Sequence, residues 1–334
     1  MKPVIFGLSG PTLTDDERAF FREAGPLGYI LFKRNCVDPA QMRALTDDLR
    51  SLHGRDDLPI LIDQEGGRVA RMQPPVWPAF PTGAAFDALY DRAPISAIEA
   101  ARANGQALAH ILREAGVTVD CAPLLDVAVE GGTPAIGDRA FGRDPMRVAA
   151  LGRALLDGLA RGGVVGIVKH MPGHGRAMVD SHLELPRVKA SAEALEADLL
   201  PFQRLASAPM GMTAHIVFEA WDADLPATLS PTVIREIIRG QIGFDGLLFT
   251  DDIDMKALSG TAGEKAERAL AAGCDVVLDC WARMPEMVEI VSRIPDAPAV
   301  CLERLARAMD SVGEAEDVPL VELLAKRDAL LGLS

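Results

Sequence analysis

The chain has 334 residues, 49% apolar and 25% charged, and its 48 acidic against 34 basic side chains give a formal net charge of −14. That is the composition of a globular protein with material for a large core, and its acidic surface argues against nucleic acid or an anionic membrane as a partner. No stretch approaches the ~18 consecutive apolar residues of a membrane span.

Taken in order, the chain alternates short β-rich runs with helical patterns. The first run is 3–9 (PVIFGLS), whose apolar stretch is too short for a secretory signal core. The second is 28–33 (GYILFK). Asp38-Pro39 then supplies a cap and a first-turn proline for a helix whose Met42, Leu45, Leu49 and Leu52 form one apolar stripe. The third run is 59–64 (PILIDQ). Ser96-x-x-Glu99 reads as a capping box opening a helix that Gly116 closes. The fourth run, 117–124 (VTVDCAPL), precedes Asp144-Pro145 and a second stripe of Val148, Leu151, Leu155 and Leu159, closed by Gly162. Runs five and six are 164–170 (VVGIVKH) and 209–215 (PMGMTAH). Ser230-Pro231 opens a helix that Gly240 closes. Run seven is 246–252 (GLLFTDD), Gly273 closes the following helix, and run eight is 275–280 (DVVLDC). The tail from about 284 to 331 reads as helices that cover the barrel.

Eight runs nearly continuous in Val, Ile, Leu and Met, separated by helices, indicate parallel strands covered on both sides. The expected fold is a single-domain α/β (β/α)8 barrel of the TIM type spanning 1–334. The rival is a doubly wound open sheet, but no glycine-rich phosphate loop is present. Five cysteines, odd in number and widely spaced, read as reduced thiols, so the expected location is the cytoplasm. No exposed apolar stripe stands out, and a monomer is expected.

Active sites of such barrels lie at the C-terminal strand ends. That places Asp63, Lys169-His170, His215 and Asp251-Asp252 at the mouth. Adjacent strand residues face opposite ways, so one of Asp251 and Asp252 aims along the axis and the other points outward or caps the next helix. A carboxylate there reads as a nucleophile, a metal ligand or a cap. In KHMPGHG (169–175), Pro172 and Gly173 forbid the helix on which His170 and His174 would share a metal. Asp180 and His182, two apart in an extended loop, can share a side. The carboxylate would then fix the imidazole tautomer, leaving the other nitrogen to move a proton; a surface hydrogen-bonded pair is the plain alternative. Asp63 opens DQEGGRVARM, with Arg68 and Arg71 on one helical turn. With Arg139, Lys169 and His170, these offer donors and acceptors for a polyhydroxylated ligand, or ion pairs closing the mouth.

DQEGGRV (63–69), the G-D-R of AIGDRAFG (135–142), KHMPGHG with DSH (180–182), and FTDDIDM (249–255) together resemble glycoside hydrolase family 3. Within it the chain is similar to the single-domain bacterial β-N-acetylhexosaminidases of peptidoglycan recycling. The resemblance implies a retaining exo-β-N-acetylglucosaminidase that releases N-acetylglucosamine from fragments such as GlcNAc-1,6-anhydro-MurNAc and its peptides. It implies Asp251 as nucleophile, His182 as general acid/base, Asp180 as its orienting partner, and Asp63, Arg71, Arg139, Lys169 and His170 as groups holding the terminal sugar. No metal and no organic cofactor are implied. The chain departs from the family's usual pattern at Met171, where an aromatic residue is usual, and at Thr250, where serine is. A β-glucosidase or a glycoside phosphorylase would use the same residues. Further off stand a metal-dependent barrel hydrolase and a non-catalytic sugar-binding barrel. His174 is expected to structure the loop.

Overall fold

The computed structural model describes residues 1–181 and 183–333. All eight expected runs form strands: β1 Lys2–Gly7, β2 Pro26–Leu31, β3 Ile60–Ile62, β4 Val119–Asp120, β5 Val165–Met171, β6 Met210–Thr213, β7 Leu247–Asp252 and β8 Val276–Asp279. Each pairs in parallel with its neighbours in sequence, and β1 pairs with β8 (Val4 beside Val277, Ile5 beside Leu278), closing the barrel. A (β/α)8 barrel results.

Closure follows from the continuous apolar character of the runs, because alternate residues of each strand serve two different cores. Ile5, Ile30, Leu61, Val119, Ile167, Met210, Phe249 and Leu278 fill the interior. Their neighbours Phe6, Leu31, Ile62, Val168, Leu248 and Val277 belong to the outer layer under the helices. The helices are α1 Asp15–Ala24, α2 Pro39–His53, α3 Gly83–Tyr90, α4 Pro94–Glu114, α5 Pro145–Arg161, α6 Ala192–Arg204, α7 Ala262–Ala272, α8 Met284–Arg293, α9 Ala299–Met309 and α10 Leu320–Leu331. Cys301, Leu305 and Ala308 of α9 join the interior cluster and cover the end of the barrel away from the site. α10 lies on α3 and α4.

Local signals explain most helix starts. Asp38 and Asp144 accept the backbone N–H of Gln41 and Arg147, each contact typically worth ~1 kcal/mol. Ser230 accepts from Val233 N–H in the same way, at the start of a π-type helix, Val233–Gln241. Two expectations are corrected. Ser96 and Glu99 form no capping box: Pro94 starts α4 two residues earlier, and Glu99 instead pairs with Arg102 and Lys326. Gly240 lies inside the π-type helix, and the left-handed residue after it is Gly243. Capping boxes occur instead at Thr14/Glu17 and Thr261/Glu264. β4 is shorter than the run 117–124; beyond it Cys121 N–H still donates to Ile62 O (2.8 Å) and Leu124 forms an isolated bridge with Lys169.

Candidate active site

Asp63 leaves β3 into an antiparallel ribbon, Gln64–Gly66 against Val69–Ala70. The helical turn expected for Arg68 and Arg71 is therefore absent. The ribbon turns at Gly66 (φ +112°) and Gly67 (φ +55°), and a Cβ on Gly66 would lie 2.3 Å from the Pro81 carbonyl oxygen. Buried Gln64 pins the ribbon's return: its Oε1 accepts from Arg71 N–H (2.9 Å) and Met72 N–H (3.0 Å), and its Nε2 donates to Met72 O (2.8 Å). Arg71 is thereby aimed back at Asp63, Nη2 to Oδ2 at 2.8 Å.

Lys169 near the end of β5, only 2% exposed, donates to Asp63 Oδ1 (2.9 Å) and lies 2.7 Å from Glu65 Oε1. Glu65 in turn takes a bidentate pair from Arg139, Nε to Oε2 at 2.8 Å and Nη2 to Oε1 at 2.7 Å. A continuous chain Arg71–Asp63–Lys169–Glu65–Arg139 results, three cations to two carboxylates. Burial pushes both carboxyls up, but the adjacent cations win. Lys169 and Arg71 hold Asp63 well below the usual carboxylate range, and Arg139 and Lys169 bring Glu65 down to about 2. Burial pulls Lys169 down, and Asp63 and Glu65 more than offset it, so its ammonium stays charged. Glu65 was not singled out in the sequence, although a carboxylate two positions from Asp63 in extended chain was a usable signal. Arg68 stands apart from this cluster, tied to Asp138 and to the carbonyls of Pro134 and Ala135.

His170, next along β5, bonds through Nδ1 to Asp126 Oδ2 at 2.8 Å. Asp126 Oδ1 accepts the backbone N–H groups of His170 (3.2 Å) and His174 (2.6 Å). This fully buried carboxylate, also missed in the sequence, organises both histidines. Nδ1–H of His170 donates to it, and Nε2 faces Asp251 Oδ2 at 4.0 Å. His174 is buried, with Nε2 3.1 Å from Ser181 Oγ. Burial, then the neighbouring His170, pushes it down to about 4, so it is neutral and ties the loop together, the structuring role expected of it. Among the described residues no group of three or more His, Cys, Asp or Glu is placed to hold a metal ion.

Asp251 stands near the end of β7, and its Oδ1 accepts the N–H of Asp252 at 2.8 Å. Burial raises its carboxyl, but His170 leads the opposing contributions and the net position lies below the ordinary value, so the carboxylate is ionised. His215 supports it from β6's end: Nε2–H donates to the Asp252 carbonyl (2.9 Å) and Nδ1 accepts from Thr228 Oγ1 (2.7 Å). Burial keeps that imidazole neutral, which suits this tautomer. Asp252 neither points outward nor caps a helix. It accepts from Cys280 N–H (3.3 Å), Asp254 N–H (3.2 Å) and Trp281 Nε1–H (3.1 Å), while Thr261 caps α7. Burial, with Asp251 close by, pushes Asp252 up to about 6.

The barrel mouth holds a cavity of about 380 Å³. Asp63, Arg71, Arg139, Lys169, His170, Asp180 and Asp251 all line it. Asp180 sits in a turn, not an extended loop, its carbonyl accepting from Leu183 and Glu184 N–H (2.9 and 3.1 Å). His182 lies outside the described residues. Arg34 and Trp281 also line it, from segments that the strand ends alone did not point to, together with Asp252 at the end of β7.

The family model for the glycosyl hydrolase family 3 N terminal domain matches residues 13–312. The chain belongs to glycosyl hydrolase family 3. A Beta-hexosaminidase of Alkalilimnicola ehrlichii is 42% identical, over 91% of this chain and 88% of its own length. A Beta-hexosaminidase of Methylococcus capsulatus is 39% identical, over 99% of this chain and 95% of its own. Among solved structures, NagZ from Neisseria gonorrhoeae in complex with N-trifluoroacetyl-D-glucosamine superposes with a TM-score of 0.88 at 32% identity, covering 99% of this chain and 98% of that one. The family 3 glycoside hydrolase described here thus has an ionised carboxylate at a barrel strand end, facing a cavity walled by paired charges. Among the described residues no helix is long and apolar enough to cross a membrane.

Proposed function

We propose that this glycoside hydrolase is a retaining exo-β-N-acetylglucosaminidase that acts in the cytoplasm, as a monomer, on peptidoglycan-derived fragments. The observation that carries the reading is the ionised Asp251 on a rigid strand end, facing the same cavity as the Asp63–Lys169–Glu65 chain. A retaining mechanism needs a carboxylate to attack the anomeric carbon and a separate proton carrier. Asp251 supplies the first, forming a glycosyl ester as the bond to the leaving oxygen breaks. His182 protonates that oxygen, then takes a proton from the water that hydrolyses the ester, and Asp180 orients it. Asp63, Arg71, Arg139, Lys169 and His170 hold the terminal sugar, their fixed donors and acceptors matching its hydroxyls. The relatives named as beta-hexosaminidases support the N-acetylhexosamine, and the motif resemblance supports the peptidoglycan fragment. Free thiols, four of them buried, accord with a reducing compartment.

Trapping with a 2-deoxy-2-fluoro glycosyl donor, followed by peptide mass mapping, should place the label on Asp251. Turnover with no label on that residue would sink the covalent route and favour attack by the substrate's own acetamide. His182→Ala should slow turnover by about 10²–10⁴-fold for alkyl glycosides, with a much smaller loss for dinitrophenyl glycosides, whose leaving groups need no proton. Equal losses across a leaving-group series would remove His182 from the acid role.

A further inference from the structure

We propose that Trp281 is the platform on which the leaving-group sugar stacks, so that the loop after β8 sets the aglycone preference; this rests on the exo-glycosidase reading above. The cavity is chemically two-sided. Its buried wall is the charge chain around Lys169, suited to hydroxyl groups and offering little flat apolar surface. Trp281 lines the same cavity, 56% exposed although tryptophan is ordinarily well covered in folded proteins. The exposure comes with a fixed placement. The indole Nε1–H is bonded to Asp252 Oδ2, and Asp252 is the residue after Asp251, so the ring's polar edge is tied to the reacting strand end. Asp252 is itself held by Cys280 N–H and Asp254 N–H.

The indole is braced from a second direction. The Arg283 guanidinium lies 5.8 Å from the ring centroid and is anchored on Asp254 and on Glu286 Oε1 (3.0 Å). Ala282, between the two, has φ +56°, the sole left-handed non-glycine residue among those described; it turns the chain as the indole leaves it. A cation over one face leaves the other for a ligand. Pyranose rings carry an apolar C–H face, and hydrogens of that kind stack favourably on an electron-rich indole. An enzyme that takes the terminal sugar on its polar wall presents the departing ring to the exposed rim, where Trp281 stands.

Two substrates separate this role from sugar binding in general. Di-N-acetylchitobiose leaves a pyranose ring at the rim, and N-acetyl-β-D-glucosaminyl azide leaves a group with no ring. Trp281→Ala should lower kcat/KM for the disaccharide about tenfold or more and for the azide by less than about threefold. Trp281→Phe keeps an aromatic face and loses the bond to Asp252, and should stay within about threefold of the parent on both. Equal losses on the two substrates, no loss on the disaccharide, or a Phe variant as impaired as the Ala variant would each overturn the platform. A parent enzyme that turns over neither substrate would overturn the exo-glycosidase reading instead.

Discussion

Asp251→Ala is expected to lower kcat on aryl β-N-acetylglucosaminides by about 10³–10⁵-fold, leaving the fold intact. The fold should survive because Asp251 is a mouth residue: among the described residues its Oδ1 accepts only the N–H of its own neighbour, and no cation lies within 3.5 Å of it. The rate should not survive, because the carboxylate is ionised, fixed on β7, and meets the cavity beside His170. The variant also makes a sharper readout available. Added azide ion can enter the space the carboxylate vacates and attack the anomeric carbon from the same face. The bond to the phenol then breaks in the same step, and the product is the α-glycosyl azide. Recovery of rate with that stereochemistry would place the attacking group at Asp251. An Asp251→Ala enzyme keeping substantial turnover without azide would show that the nucleophile lies elsewhere.

Lys169→Met should lower stability at pH 7 by about 3 kcal/mol, the low end for breaking a buried ion pair, and activity by at least about a hundredfold. Lys169 bridges two carboxylates that are otherwise held apart by nothing but their separate arginines. Without it Asp63 keeps Arg71 and Glu65 keeps Arg139, which is why the loss stays near the low end. The pH dependence gives the test its sign. Asp63 and Glu65 have folded values depressed below the unfolded ones near ~4, so in the parent their contribution is present above that pH. It is lost only as pH falls through the folded values, about 2 for Glu65. Lys169 has a raised folded value, so its share is complete below its unfolded value near ~10.4 and is lost only at higher pH. Removing the ammonium lets both carboxyls rise. The stability gap between parent and variant should therefore be widest from about pH 6 to 9 and narrow below about pH 5. Melting curves across that range check it. A gap independent of pH would mean that Lys169 contributes through packing rather than charge.

The barrel and the positions of its strand ends were legible in the amino-acid sequence. Period and composition are local properties: continuous apolar runs of strand length, capped helices between them, and polar residues where each run stops. All eight runs became barrel strands, and Asp63, Lys169, His170 and Asp251 were found at the mouth because a parallel barrel puts every strand end there. Arg71 and Arg139, the two arginines the motif resemblance points to, also line that cavity, and the turn carrying Arg71 is a ribbon, not a helix.

Which charged groups partner each other is settled by the folded chain. Glu65 was visible as a letter in DQEGGR, but its role depends on Lys169 and Arg139, 104 and 74 positions away, converging on one carboxylate. Asp126 was invisible for the same reason, since its three bonds go to His170 on β5 and His174 in the loop after it, more than forty residues later. Strand alternation sends one of Asp251 and Asp252 outward or onto a helix cap; in the structure the N–H groups of Asp254 and Cys280 and the Trp281 indole claim the Asp252 carboxylate instead. Strand and helix are dictated by neighbours in the chain. A buried charge is dictated by whatever partner the fold brings within hydrogen-bonding distance, and no local pattern carries that information.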